Sequence, residues 1–119
     1  MDSGIRVDGD ALVKFKEMLI RHSYKYIVLV IENDKCVIKE CGNGGVDDLL
    51  AALKDTPCAF VCFDKGKYVN FFMYATEAAT TNDRTIYSTT KSAVHKSLAG
   101  SKIVGNLVED ANEVRELCS

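Results

Sequence analysis

The chain has 119 residues, of which 47% are hydrophobic and 27% are charged. This length suits one domain, here residues 1–119, and the hydrophobic share is enough to build one buried core. The formal net charge is −2 at pH 7, which argues against a general nucleic-acid binder because such proteins carry a basic excess. A local basic patch is compatible with this charge, since screening confines electrostatic interactions to about 10 Å at ordinary salt.

The sequence shows neither a targeting segment nor a membrane span. Residues 1–7 are too short and polar for a signal peptide, and the longest apolar run, residues 26–31, is too short to cross a bilayer. The five cysteines are odd in number and form no C-x-x-C pair, so we expect reduced thiols and a cytoplasmic protein. Cys58 and Cys62 share a face of a predicted strand and are expected in the core, whereas Cys118 is expected to be exposed.

The first half of the chain predicts two helices and two strands. The first helix has Asp8 as its N-cap and an apolar face of Leu12, Phe15 and Leu19. The first strand is apolar on both faces, so both faces should be covered. The predicted elements, in chain order, are a helix over residues 8–20, a strand over 24–32, a more polar, edge-like strand over 36–41, and a short helix over 46–53.

The second half predicts two more doubly apolar strands and a long helix. A short turn over residues 64–67 joins the two strands, so at least one strand pair is antiparallel and the sheet is mixed. Helices before, between and after the strands predict an α/β fold, a mixed β-sheet sandwiched by helices. The predicted elements are strands over residues 58–63 and 68–75, a loop over 77–82, a helix over 83–100, a short strand over 102–108 and a last short helix over 109–117.

The predicted long helix carries a basic stripe. Arg84, Ser88, Lys91 and His95 follow one another at spacings of four, three and four residues, which places them on one face. Gly100 lies where a helix C-cap often falls. A basic stripe without a catalytic partner favours a docking surface over an active site, although periodicity alone also fits an ordinary solvated helix face. A second arc is apolar and consists of Ile86, Thr90, Ala93 and Val94.

Candidate catalytic chemistry is sparse. Neither His22, which should end the first helix, nor His95 has a neighbouring Asp, Glu or Cys at ligand spacing, so no metal site is expected. The glycine-rich loop at residues 42–45 lacks the Lys-Ser/Thr of a phosphate-binding loop. These absences favour a binding module over an enzyme, with a thiol-dependent small enzyme using Cys58 or Cys62 as the remaining catalytic alternative.

Several segments resemble the actin-depolymerising factor/cofilin family, and in particular its short protozoan, apicomplexan-type members. The segment YSTTKSAV is similar to the family signature Tyr-Ala-Ser-Ser-Lys-Asp-Ala-Leu. The similar segments run in order over nearly the whole chain and are residues 1–7 (MDSGIRV), 24–27 (YKYI), 58–64 (CAFVCFD), 71–76 (FFMYAT), 87–94 (YSTTKSAV) and 98–100 (LAG).

This resemblance implies a mixed, five- or six-stranded sheet between helices, with no cofactor and no catalysis. It implies that the long helix inserts into the cleft between two actin subdomains. Family members bind ADP-loaded actin monomers, and many bind, twist and sever filaments. The resemblance therefore predicts a monomeric cytoplasmic protein of the actin cytoskeleton that binds actin monomers and promotes filament turnover.

The resemblance also assigns candidate residues. Ser3 matches the serine whose phosphorylation switches many members off, and a phosphate there would add a charge of about −1.5 to −2 to the contact region. Acidic phosphoinositides would compete for Arg84, Lys91 and Lys96. The candidate actin-binding residues are Ser3, Gly4, Ile5, Arg84, Thr85, Ser88, Lys91 and His95.

Two departures from the family pattern matter. Asn82 stands where the family often has a second basic residue, and Thr85 replaces an apolar contact residue, which keeps open a cytoskeletal adaptor with little actin affinity. The projecting basic hairpin used for filament binding shrinks here to a candidate second site at Lys65 and Lys67. We therefore expect strong monomer binding and weak filament binding.

Overall fold

The computed structural model describes residues 5–98, 100–104 and 107–118. Within these residues, six strands form one sheet and four helices cover its two faces. The elements in chain order are β1 (Arg6–Val7), α1 (Gly9–Arg21), β2 (Tyr26–Glu32), β3 (Lys35–Gly42), α2 (Val46–Leu53), β4 (Cys58–Asp64), β5 (Val69–Ala75), α3 (Thr81–Ser97), β6 (Ser101–Ile103) and α4 (Ala111–Cys118).

The sheet is mixed, as predicted. Its strand order is β1-β3-β2-β4-β5-β6, with antiparallel pairing through the four central strands and parallel pairing of the two short outer strands. Among the described residues, residues 37–42 pair with β2 alone, so the predicted edge-like character of residues 36–41 is confirmed for most of that range. The start of β3 is covered, because β1 pairs with it through Arg6 with Lys35 and Val7 with Cys36. This pairing joins residues far apart in sequence, so local polarity could not reveal it.

Strand alternation divides the interior into two cores. On β2, Ile27 and Leu29 point to the face covered by α1 and α3, while Tyr26 and Val28 point to the face covered by α2 and α4. The prediction that both faces of the apolar strands are covered is therefore confirmed. Full burial of an aliphatic or aromatic side chain contributes roughly 1.5–3 kcal/mol, so the sheet's centre holds the helices in place.

Two tight turns set the strand pairing. Asn33 and Asp34 have φ angles of 50° and 63°, as a two-residue hairpin requires and as these residue types tolerate. In the β4–β5 turn, the Lys65 N–H donates to the Tyr68 carbonyl at 2.9 Å. Gly66 has a φ of 92°, a left-handed conformation that favours glycine. Both predicted turns are confirmed.

The buried carboxylate of Asp64 anchors the β4–β5 turn to the end of α1. Its Oδ1 accepts a hydrogen bond of 2.7 Å from the Gly66 N–H, and its Oδ2 lies 2.6 Å from Nδ1 of His22. His22 is the left-handed C-cap of α1, with a φ of 55°. The sequence predicted that His22 ends this helix, and the contact with Asp64 adds a tertiary link to the hairpin.

Helix α3 begins two residues before the predicted start at Asp83. Thr80 is the N-cap, and its hydroxyl accepts a hydrogen bond of 3.0 Å from the Asp83 N–H. A Thr followed three residues later by an acid is a typical helix start, so this signal was present in the sequence. At the other end, Leu98 is the C-cap and Gly100 has a φ of 103° in the turn into β6.

The cysteines are free thiols, and Cys58 and Cys62 lie in the core as predicted. The prediction that Cys118 is exposed was wrong, because only 6% of its surface is accessible. It lies one helical turn after the buried Val114, so both residues face the sheet from α4.

Native thiols are expected to react slowly with an aromatic disulfide reagent at pH 8. Burial raises the pKa of Cys36, Cys58 and Cys118 to about 12, so only about one thiol in ten thousand is a thiolate at pH 8. The half-buried Cys41 should react first, and denaturant should release all five thiols. Mass spectrometry of timed samples would identify the modified residues. Rapid modification of Cys58 in the native protein would contradict this and favour the thiol-enzyme alternative.

Candidate functional site

Most of the predicted site residues lie on α3, which is fixed to the sheet along one line. Tyr87, Thr90 and Val94, spaced three and four residues apart, are buried against the sheet. The Tyr87 hydroxyl accepts a hydrogen bond of 2.8 Å from the Ile31 N–H, and its ring lies 5.1 Å from that of Phe60. Burial raises the pKa of Tyr87 to about 12, so the hydroxyl stays protonated. This line determines which side of α3 faces solvent.

The exposed side of α3 is rich in hydroxyl groups. Its residues recur at spacings of three and four and stand opposite the buried line. They present hydrogen-bond donors and acceptors together with one ammonium group. We call this surface the outer ridge; it consists of Thr81, Thr85, Ser88, Thr89, Ser92 and Lys96.

The predicted basic stripe lies beside the outer ridge, turned partly toward the sheet. The Arg84 side chain is half-buried, and its Nη2 donates to the Thr76 carbonyl at 2.7 Å. Ser88 is exposed, but its Oγ lies 3.6 Å from the Met73 sulfur. This hydrogen bond fixes the position of the Arg84 guanidinium group, which has five N–H donors and can therefore serve more than one acceptor.

His95 makes contacts within the chain that the predicted basic stripe did not include. Its Nε2 lies 3.0 Å from the Ser101 carbonyl, which can only accept, so Nε2 carries a proton. Its ring packs 5.6 Å from that of Phe71. His95 thus links the end of α3 to β6, whereas Lys91, one turn earlier, is half-buried on the same flank.

Residues 5–7, the first described part of the chain, lie beside α3. Ile5 is only 9% exposed and packs into the core beneath α1 and α3. A groove of 740 Å³ lies between residues 5–7 and α3. Ser3 and Gly4, the other predicted residues of the amino-terminal segment, lie outside the described residues. The groove is lined by Ile5, Arg6, Val7, Thr89, Ser92, Ala93, Lys96 and Ser97.

The candidate second site lies on the β4–β5 turn, close to the end of α4. Lys67 is exposed and Lys65 is half-buried. The Asn70 side chain, just after the turn, donates from Nδ2 to the Leu117 carbonyl at 2.9 Å. Burial raises the pKa of Cys118, and the positive charge of Lys65 opposes this rise. The ammonium group of Lys65 therefore lies near the end of α4. The turn and α4 therefore form one surface.

The sequence did not identify Thr76 or the full outer ridge. Nothing local marks Thr76, since its role comes from a backbone carbonyl that Arg84 reaches in the folded chain. The outer ridge could have been predicted from helical periodicity, because it stands opposite the line of Tyr87, Thr90 and Val94. The predicted apolar arc included Ile86 and Ala93, and for this reason the predicted exposed face of the helix was turned away from the outer ridge.

The described residues contain neither a metal-binding cluster nor a membrane-spanning helix. In this part of the chain, no three His, Cys, Asp or Glu side chains come together as a metal-binding group. None of the helices described is both long enough and apolar enough to cross a bilayer. What the described surface of α3 offers is an array of hydroxyl and cationic groups.

Comparisons with known proteins cover nearly the whole chain. The model of the cofilin/tropomyosin-type actin-binding protein family matches residues 4–117. Cofilin/actin-depolymerizing factor homolog 1 of Plasmodium falciparum is 32% identical over 121 residues, covering 98% of this chain and 99% of that protein. Actin depolymerizing factor of Toxoplasma gondii is 34% identical over 104 residues, covering 87% of this chain and 88% of that protein. The solution structure of ADF from Toxoplasma gondii matches with a TM-score of 0.78 at 32% identity, covering 96% of this chain and 97% of that one.

Proposed function

The chain belongs to the cofilin/tropomyosin-type actin-binding family, and on this premise we propose that it binds actin monomers, preferably ADP-loaded, and promotes filament disassembly. The observation that most supports this site is the exposed ridge of α3 lying beside the amino-terminal segment. The protein would act by binding rather than by catalysis, as a monomer in the cytoplasmic actin cytoskeleton.

In the proposed complex, actin contacts the outer ridge and the basic flank of α3. The ridge hydroxyls would pair with polar groups of actin, while Arg84 and Lys91 would meet carboxylates or carbonyls. Because Arg84 is already held by the Thr76 carbonyl, less side-chain entropy is lost when it binds. Ile5 would support the amino-terminal part of the contact from below.

Fluorescence titration of labelled ADP-actin and ATP-actin monomers would test the proposal directly. We expect saturable binding to both forms with a lower Kd for ADP-actin. The absence of binding to either form would contradict the proposal and favour the alternative, an adaptor of this fold with little actin affinity. Asn82 and Thr85 keep that alternative open, because a cation and an apolar side chain are usual there.

Filament binding is expected to be weak. A filament lattice requires a second contact surface, and the candidate here offers only Lys65 and Lys67 on a short turn beside α4. At low micromolar concentrations, most of the protein should stay in the supernatant after filaments are pelleted, while the monomer pool rises. Stable decoration of pelleted filaments would contradict this prediction.

Substitution of Ser3→Glu is expected to weaken monomer binding by about tenfold. The added carboxylate would bring negative charge to a surface proposed to meet actin. Ser3→Ala is the matched control and should bind like the unchanged protein. Equal affinities of the two variants would remove Ser3 from the interface.

Acidic phosphoinositides are proposed to compete with actin for this surface. Arg84, Lys91 and Lys96 all lie on α3 and could pair with phosphate groups. The modest number of cations predicts a weak effect that decreases as salt is raised. Vesicles containing a phosphoinositide should reduce actin binding, and neutral vesicles should not.

A further inference from the structure

A second concave surface lies between the first turns of α3 and the β2–β3 hairpin, and the proposed actin contact does not use it. This cleft has a volume of 580 Å³. Its third wall is the connection between α2 and β4, residues 55–58. Three elements that are distant in sequence therefore meet around one opening.

The floor of the cleft is aliphatic and only half-covered. Ile31, Ile38 and Ile86 form it on the face of the sheet that α3 covers, and each keeps part of its surface accessible. The polar group at its base is already satisfied, since the Tyr87 hydroxyl accepts from the Ile31 N–H. Such a floor favours an apolar side chain, because burying it removes apolar surface from water without stranding a polar group.

The rim of the cleft is acidic. Glu32, Asp55 and Asp83 come from β2, the α2–β4 connection and α3, so three carboxylates surround the aliphatic floor. Burial raises the pKa of Cys58, and the charge of Asp83 raises it further, which places that carboxylate close to the cleft.

The cations at the cleft are engaged within the chain. Lys39 donates from its ammonium group to the Thr56 hydroxyl, and Arg84 donates to the Thr76 carbonyl. Lys39 and Thr56 both line the cleft, so one ammonium group stands beside the three carboxylates. A ligand entering the cleft would meet an aliphatic floor and a lining that is acidic on balance.

We propose that this cleft binds a short basic segment of a partner protein other than actin. One aliphatic side chain of the segment would occupy the floor between Ile31, Ile38 and Ile86. Lysine or arginine residues on either side would pair with the rim carboxylates. Charge complementarity supports this occupant over an acidic or purely apolar one, because either of those would leave three carboxylates facing like charge or apolar surface.

The test is a nuclear magnetic resonance titration of the full chain with the synthetic peptide acetyl-Gly-Arg-Lys-Leu-Arg-Lys-Gly-amide. We expect saturable shifts of backbone amides confined to the end of β2, the middle of β3, residues 55–58 and the first turns of α3. Two control peptides separate the contributions, one with Leu replaced by Ser and one with each cation replaced by Gln. Both should bind more weakly by about fivefold or more.

Matched protein variants complete the test. Glu32→Gln with Asp83→Asn should weaken peptide binding about threefold to tenfold. Asp48→Asn with Glu109→Gln removes two exposed carboxylates elsewhere and should leave binding unchanged. Equal binding by both double variants, or shifts centred outside the cleft, would overturn the proposal.

Actin provides the last arm of the test. The Glu32→Gln, Asp83→Asn protein should bind actin monomers with the same affinity as the unchanged protein, while peptide binding, which is measured separately, should fall. A parallel loss of actin and peptide binding would assign the cleft to the actin contact and overturn the inference of a separate partner.

Discussion

Reversing two charges on α3, through Arg84→Glu with Lys91→Glu, is expected to weaken the binding of actin monomers by about 2–5 kcal/mol. Both side chains lie on the flank of the helix beside the outer ridge, and Arg84 is held there by the Thr76 carbonyl. An acid at position 84 would lose that hydrogen bond and repel the same carbonyl. Monomer titration by fluorescence would measure the loss directly.

A control with the same change in charge separates local contact from long-range repulsion. Lys16 on α1 and Lys54 at the end of α2 are both exposed and lie off α3. Lys16→Glu with Lys54→Glu should change actin affinity by less than about 0.5 kcal/mol at physiological salt. If both double variants bound equally well, α3 would not be the actin-binding helix.

A conservative variant examines the role of the fixed hydrogen bond. Arg84→Lys keeps the charge, but one ammonium group cannot match the fork of the guanidinium at two partners. Its affinity should fall between those of the unchanged protein and the charge-reversed protein. Unfolding by urea should show little change for this variant, which would separate a binding effect from a loss of stability.

Local patterns predicted the fold well where each element is specified by its own residues. The helix over residues 46–53 was placed at its observed bounds, and the doubly apolar strands were recognised because both of their faces are buried. The pairing of β1 with the start of β3 was missed, since Arg6 and Lys35 are 29 residues apart in the sequence. Cys118 was missed because its burial depends on how α4 packs on the sheet.

The candidate site was predicted less completely, because side-chain direction depends on tertiary contacts. The spacing of Arg84, Ser88, Lys91 and His95 was correctly assigned to one flank of α3. How far this flank turns toward solvent depends on tertiary contacts that sequence periodicity does not reveal, such as the Ser101 carbonyl that accepts a hydrogen bond from His95. A helical pattern specifies which residues share a face, while the sheet beneath decides how far that face turns toward solvent.

Phe60→Ala is expected to lower the free energy of unfolding by about 3–5 kcal/mol. Phe60 is fully buried at the centre of the sheet, with its ring 5.6 Å from Phe71 and 5.1 Å from Tyr87. The cavity would open directly beneath α3, next to the residue that fixes the helix. Urea unfolding would measure the loss, and Phe60→Leu should lose less because it leaves a smaller cavity.

Phe72→Ala is the matched control, since Phe72 is equally buried but belongs to the core on the opposite face of the sheet. Both alanine variants should lose similar stability, yet under conditions where both are folded only Phe60→Ala should also weaken actin binding. The reason is that Phe60 supports Tyr87, and through it the angle at which α3 presents its ridge. Equal actin affinities for the two folded variants would show that the core beneath α3 does not position the proposed contact surface.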